Sequence, residues 1–152
     1  MSDLDLGWVA WAAGIIDGEG CIRLQKCGTK KYRRFQLLVS VGNTDPRIVE
    51  RLHSMFGGCV SACNRTQVKE THKPMWMWSL TGPGAAITLT QILPWLISKR
   101  DQAEIGIASR KFVGRRGEQD VGLARFKALA ELDVVLTNMK RSRTERVKKE
   151  KE

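Results

Sequence analysis

Residues 11–20 read WAAGIIDGEG, an apolar run of small residues that ends in two carboxylates set among glycines. The run has the composition of a packed helix. The C-terminal end of a helix carries partial negative charge, however, so Asp17 and Glu19 destabilise it unless a cation or a hydrogen-bond donor compensates them. Upstream the helical pattern extends back to Leu4, and Gly7, Ala10 and Gly14 recur at spacings of three and four that put them on one face. Glycine inside a helix costs about 1 kcal/mol relative to alanine, so two of them ask for a packing reason, either ordinary core packing of small residues or a close approach by another backbone.

Downstream, residues 21–27 and 33–41 alternate as strands joined by the turn-like GTKKY. Ile22 and Leu24 share one face of the first strand, and Phe35, Leu37, Val39 and Val41 one face of the second. The opposite faces carry Arg23, Gln25, Arg34, Gln36 and Ser40, so the predicted sheet packs helices on one side and meets water or a polar ligand on the other. In NTDPRIVERLHSMFGG, Thr44 or Asp45 caps a helix, Pro46 suits its first turn, and Gly57 and Gly58 end it. Its apolar stripe is Ile48, Val49, Leu52, Met55 and Phe56.

Two further strands are predicted over 59–69 and 75–81, with Trp76, Trp78 and Leu80 on the core face. Helix, two strands, helix, two strands is one supersecondary unit repeated. Helices follow over 85–96, 98–112 and 121–139, which makes residues 1–139 one α+β domain and 140–152 a basic, mixed-charge, solvated tail.

The length of 152 residues and 42% hydrophobic content fit a single globular domain with a sizeable core. No stretch has the order of a signal peptide, and the apolar runs are too short or too interrupted by charge to span a bilayer. The expectation is a soluble, intracellular protein with no membrane partner; a bacterial or phage cytoplasm and an organelle interior both stay open. Lys and Arg number 26 against 16 Asp and Glu, and the net charge of +10 points to an anionic partner, nucleic acid foremost. Of the four cysteines, Cys59 and Cys63 have a zinc-like spacing, Cys21 and Cys27 are too far apart, and no histidine completes a set. Reduced, free thiols are expected.

Residues 12–20, AAGIIDGEG, resemble the nine-letter motif of the LAGLIDADG homing endonucleases in residue type at each position. MFGGCV, WMWSLTG and LPWLISKRDQA resemble later landmarks of that family, and the likeness reaches to about Phe112. It implies an αββαββα fold, an antiparallel sheet saddle packed on helices. It also implies a site-specific nuclease that cuts both strands of a long, pseudo-palindromic DNA duplex with 3′ overhangs, at an intron or intein insertion site.

By the same resemblance Glu19 holds a divalent metal with the carbonyl of Gly18; Mg²⁺ is expected, with Mn²⁺ as a substitute. Asp17 takes a supporting role, Lys99 in PWLISKRDQA is the candidate catalytic lysine, and Gly42 or Asn43 stands where the family often has a water-positioning glutamine. A single motif implies a homodimer, with Gly7, Ala10, Ala13, Gly14 and Asp17 at the interface.

DNA-reading candidates on the first hairpin are Arg23, Gln25, Arg34, Gln36 and Ser40; on the second they are Ser61, Arg65, Gln67, Met77 and Ser79. Lys30, Lys31 and Arg33 are expected to meet phosphates. Two rivals share the scaffold: an RNA maturase, which would bind intron RNA, and a regulator that reads DNA without cutting it.

Overall fold

The first helix, α1 (Leu6–Glu19), starts where the Asp5 carboxylate accepts a 2.8 Å bond from the N–H of Gly7. The computed structural model describes residues 5–29, 33–63, 73–112 and 123–149. The helix buries Val9, Ala12, Ala13 and Ile16 and runs two residues beyond the predicted 4–17, so both acids lie in its last turn. It passes directly into a strand at Gly20, whose N–H still bonds to the carbonyl of Ile16. A Cβ at Gly20 would lie 2.6 Å from that oxygen, so only glycine fits this abrupt exit.

Strands β1 (Gly20–Gly28) and β2 (Arg33–Asn43) form an antiparallel hairpin in which Ile22 pairs with Val39 and Leu24 with Leu37. Helix α2 (Pro46–Phe56) is capped by Asp45, which settles the Thr44 or Asp45 alternative, and ends at Gly57 with φ of 74°. The second hairpin pairs β3 (Cys59–Cys63) with β4 (Met75–Thr81); the predicted continuation of β3 to 69 lies outside the described residues. β2 and β4 pair antiparallel and join the hairpins into one sheet of order β1-β2-β4-β3.

One face of this sheet supplies the core: Ile22, Leu24, Phe35, Leu37, Val39, Val41, Trp78 and Leu80 are buried there. Trp78 also donates a 2.8 Å bond from Nε1 to the carbonyl of Gly57, which gives its buried indole N–H a partner. Trp76 is partly buried against the same cluster, as the alternation predicts. The helices behind it are α3 (Gly82–Ile92), a 3₁₀ turn (Leu93–Trp95), α4 (Arg100–Ser109) and α5 (Leu123–Lys149). α5 continues ten residues beyond the predicted 139, through most of the segment expected as a solvated tail. Among the described residues no helix is long and apolar enough to cross a membrane.

Candidate functional site

The chemistry of residues 11–20 is decided by where the two acids point. Consecutive helix residues turn by about 100°, so Asp17 and Glu19 project to nearly opposite sides of α1. Asp17 is turned toward its own chain. Its Oδ2 accepts from the N–H of Ile97 at 2.7 Å and of Ser98 at 3.3 Å, and its Oδ1 from the N–H of Lys99 at 2.9 Å and the hydroxyl of Ser98 at 3.3 Å. These N–H groups lead into α4, whose N-terminus favours a negative charge. Partial burial works against the charged carboxyl, but the bonds from Ile97, Lys99 and Ser98 outweigh it and hold Asp17 below its ordinary value.

Lys99, the cap residue of α4, returns its ammonium to the main-chain carbonyl of Asp17. A cation therefore sits at the negative end of α1. This is the compensation that the sequence demanded for the first acid. The second, Glu19, is exposed, and its Oε2 accepts a 2.9 Å bond from Asn43 Nδ2. Asn43 follows Val39 and Val41 in parity and so faces the helix side at the end of β2. Its Oδ1 accepts from the N–H of Asp45 at 2.8 Å, which orients the amide and leaves Nδ2 for Glu19. Of the two candidates at this place, Asn43 meets the acid and Gly42 lies on the other side of the sheet.

Among the described residues no group of three His, Cys, Asp or Glu side chains converges. Glu19 and the Gly18 carbonyl, in the last turn of α1, are oxygen donors of the kind that suit Mg²⁺, but too few for its six positions. Cys21, Cys27, Cys59 and Cys63 are all free, and Cys21 Sγ lies 3.4 Å from Lys140 Nζ.

The predicted sheet face is only partly hydrogen-bonding. Arg23, Gln25 and Arg34 are exposed and Gln36 and Ser40 half-buried, all on the side away from the core. Between them in register lies Leu38, only 6% exposed and outside the core cluster, flanked by Arg23 and Thr81. On the second hairpin Ser61 is exposed and Met77 and Ser79 half-buried on that same side. Lys30, Lys31, Arg65 and Gln67 lie outside the described residues, and Arg33 is placed in β2 by its backbone alone.

Of the small-residue face, Gly7 and Gly14 are exposed and Ala10 half-buried. Ala13 is a correction: it is fully buried in the chain's own core, because its position on α1 faces the sheet with Ala12 and Ile16. The Asp17 carboxylate likewise serves its own chain. The backbone of Ile97 and Ser98, which orders Asp17, was invisible in the sequence, since main-chain donors leave no side-chain signature.

No family model matches this sequence, and a search of curated proteins finds no match. Solved structures do match. The fold is similar to that of the homing endonuclease I-CvuI, solved in complex with its target in the presence of Ca, with a TM-score of 0.70 and 20% identity over 89% of this chain and 85% of that one. The archaeal intron-encoded homing endonuclease I-Vdi141I, complexed with DNA, gives 0.67 and 14% over 86% and 82%. I-SmaMI bound to uncleaved DNA target with calcium ions gives 0.61 and 19% over 90% of this chain, which spans 46% of that one.

Proposed function

From a chain with the LAGLIDADG homing-endonuclease fold, we propose a site-specific, metal-dependent DNA endonuclease. It acts as a homodimer on both strands of a long, pseudo-palindromic duplex and leaves 3′ overhangs. The observation that carries this reading is the division of labour at the end of α1: Asp17 is consumed in holding 97–99, while Glu19 stays exposed and oriented by Asn43.

The donor set suits a divalent cation, Mg²⁺ with Mn²⁺ as substitute, held by Glu19 and the Gly18 carbonyl and completed by a second copy of the chain and by DNA phosphates. When bound, such an ion polarises a phosphoryl oxygen and lowers the pKa of water. The chain's own contribution is orientation and charge. Asn43 fixes the Glu19 carboxylate and offers its amide to a water, and Lys99 supplies positive charge toward the phosphate.

The dimer reading is supported by the outer face of α1. A Cβ at Gly14 or Gly18 would meet nothing within 4 Å, so another backbone can approach there. Leu6 is 69% exposed at the start of the same helix and Ile97, 89% exposed, stands beside its far end, two separate apolar side chains that a partner along α1 would cover. The basic charge of the chain and the Arg23, Gln25, Arg34 and Gln36 face suit a duplex, whose major groove admits a two-stranded ribbon. Lys30, Lys31 and Arg33 would hold phosphates beside it.

The test is cleavage of a randomised, partly palindromic duplex library with Mg²⁺, beside Ca²⁺ and Glu19→Gln controls. Two-strand cuts at selected sites that need both Mg²⁺ and Glu19 are expected. Specific binding without cuts would mean a regulator, and preferential RNA binding a maturase.

A further inference from the structure

The face of the sheet turned away from the core divides into two chemical zones. Toward the β1-β2 turn it carries Arg23, Gln25, Arg34 and Gln36. At the other end of β2 the cross-strand row is Gly42, Met77 and Ser61, with Met75 beside Cys63 in the next row. No strand residue in these two rows is charged.

Both methionines lean over the backbone of Gly42. A methyl built there would lie 3.3 Å from Met77 Cε and 3.5 Å from Met75 Sδ, so two thioethers meet above the one position of β2 that has no side chain. Both remain half-buried and reachable from outside. Gly42 directly precedes Asn43, whose amide touches Glu19. The thioether patch therefore lies at the same end of β2 as the candidate cutting centre, on the other face of the sheet.

Resting on the duplex-DNA reading above, we propose that Met75 and Met77 read the C5-methyl group of a thymine near the cut in each half-site. A thioether has no donor with which to address the acceptors of guanine, nor the paired donor and acceptor with which Asn or Gln reads adenine. The apolar feature on a major-groove edge is the thymine methyl, and a flexible, polarisable side chain packs on it readily. The arginine and glutamine zone supplies hydrogen-bonded readout farther from the cut, so one sheet face uses two recognition chemistries in register.

The experiment follows the library selection. Each thymine of the selected half-site is replaced in turn by 2′-deoxyuridine, which removes the methyl and keeps the base pair. Removing one buried methyl should weaken binding of the wild-type protein about fourfold at one position near the cut, and little elsewhere. The Met75→Ser/Met77→Ser protein should bind the thymine and deoxyuridine duplexes equally, while Arg23→Ala keeps the wild-type ratio. A target that is cut specifically yet has no thymine sensitive to this exchange overturns the inference and leaves the nuclease reading standing. A double variant that keeps the wild-type ratio overturns it in the same way. Failure to bind any duplex specifically overturns both.

Discussion

Asn43 Nδ2 donates to Glu19 Oε2 at 2.9 Å, tying the end of β2 to the end of α1 across 24 positions of sequence. The bond holds one rotamer of an otherwise exposed carboxylate, and Asp45 holds Asn43 in turn. Support of this kind around a metal-binding acid, the role proposed for Glu19, is usually worth about 10- to 100-fold in activity or metal affinity. Asn43→Ala is expected to lower the cleavage rate on the selected target by roughly that factor. DNA affinity measured with Ca²⁺ should stay near wild type; an unchanged cleavage rate would remove Asn43 from the site.

Asp17 gives a stability prediction with a defined pH sign. Its carboxyl titrates below the ordinary 3.8, so its contribution is fully present above that pH and is lost as the pH falls through the lower folded value. Asp17→Asn is expected to cost about 1–2 kcal/mol at neutral pH, the range for charge-assisted bonds reduced by partial exposure. The difference between the urea midpoints of the two proteins should hold from neutral down to about pH 5 and shrink below about pH 4. A difference that grows on acidification would contradict the assignment.

Gly20→Ala should be among the most damaging single-methyl additions in the chain. The new Cβ meets the Ile16 carbonyl at 2.6 Å and its Cα at 2.8 Å, and both are backbone atoms that cannot move aside without unwinding the end of α1. A loss of about 3 kcal/mol is expected, as for other overpacked sites, read as a lowered thermal midpoint.

Gly14→Leu separates association from folding. A Cβ at this position meets nothing within 4 Å in its own chain, and leucine is the better helix former by nearly 1 kcal/mol. The variant should fold at least as stably as the wild type yet sediment as a monomer; wild-type association would exclude this face from the interface.

Much of the framework was legible in the residues. Period-two alternation at Ile22 and Leu24, and at Phe35 to Val41, located the first hairpin and its buried face, because a half-buried strand cannot be built any other way. Pro46 and the Gly57–Gly58 pair bracketed α2 for equally local reasons. Ala13 was misread, and the burial of Leu38 on the outer sheet face went unread, because the fraction of a helix or strand that a neighbour covers is a tertiary quantity. A two-sided strand and a helix wedged against a sheet bury more than one stripe.

What the sequence determined by itself was the set of elements, the basic charge and the presence of two acids where a helix should not have them. Those follow from local sterics, periodicity and chemistry. The roles of the acids were decided only in three dimensions. Asp17 found its partners 80 and more residues away, in backbone N–H groups that look alike in every sequence, and Glu19 found Asn43 because the strand that carries it ends beside α1. Two positions on one helix turn, some 200° apart around its axis, are thereby assigned to opposite tasks.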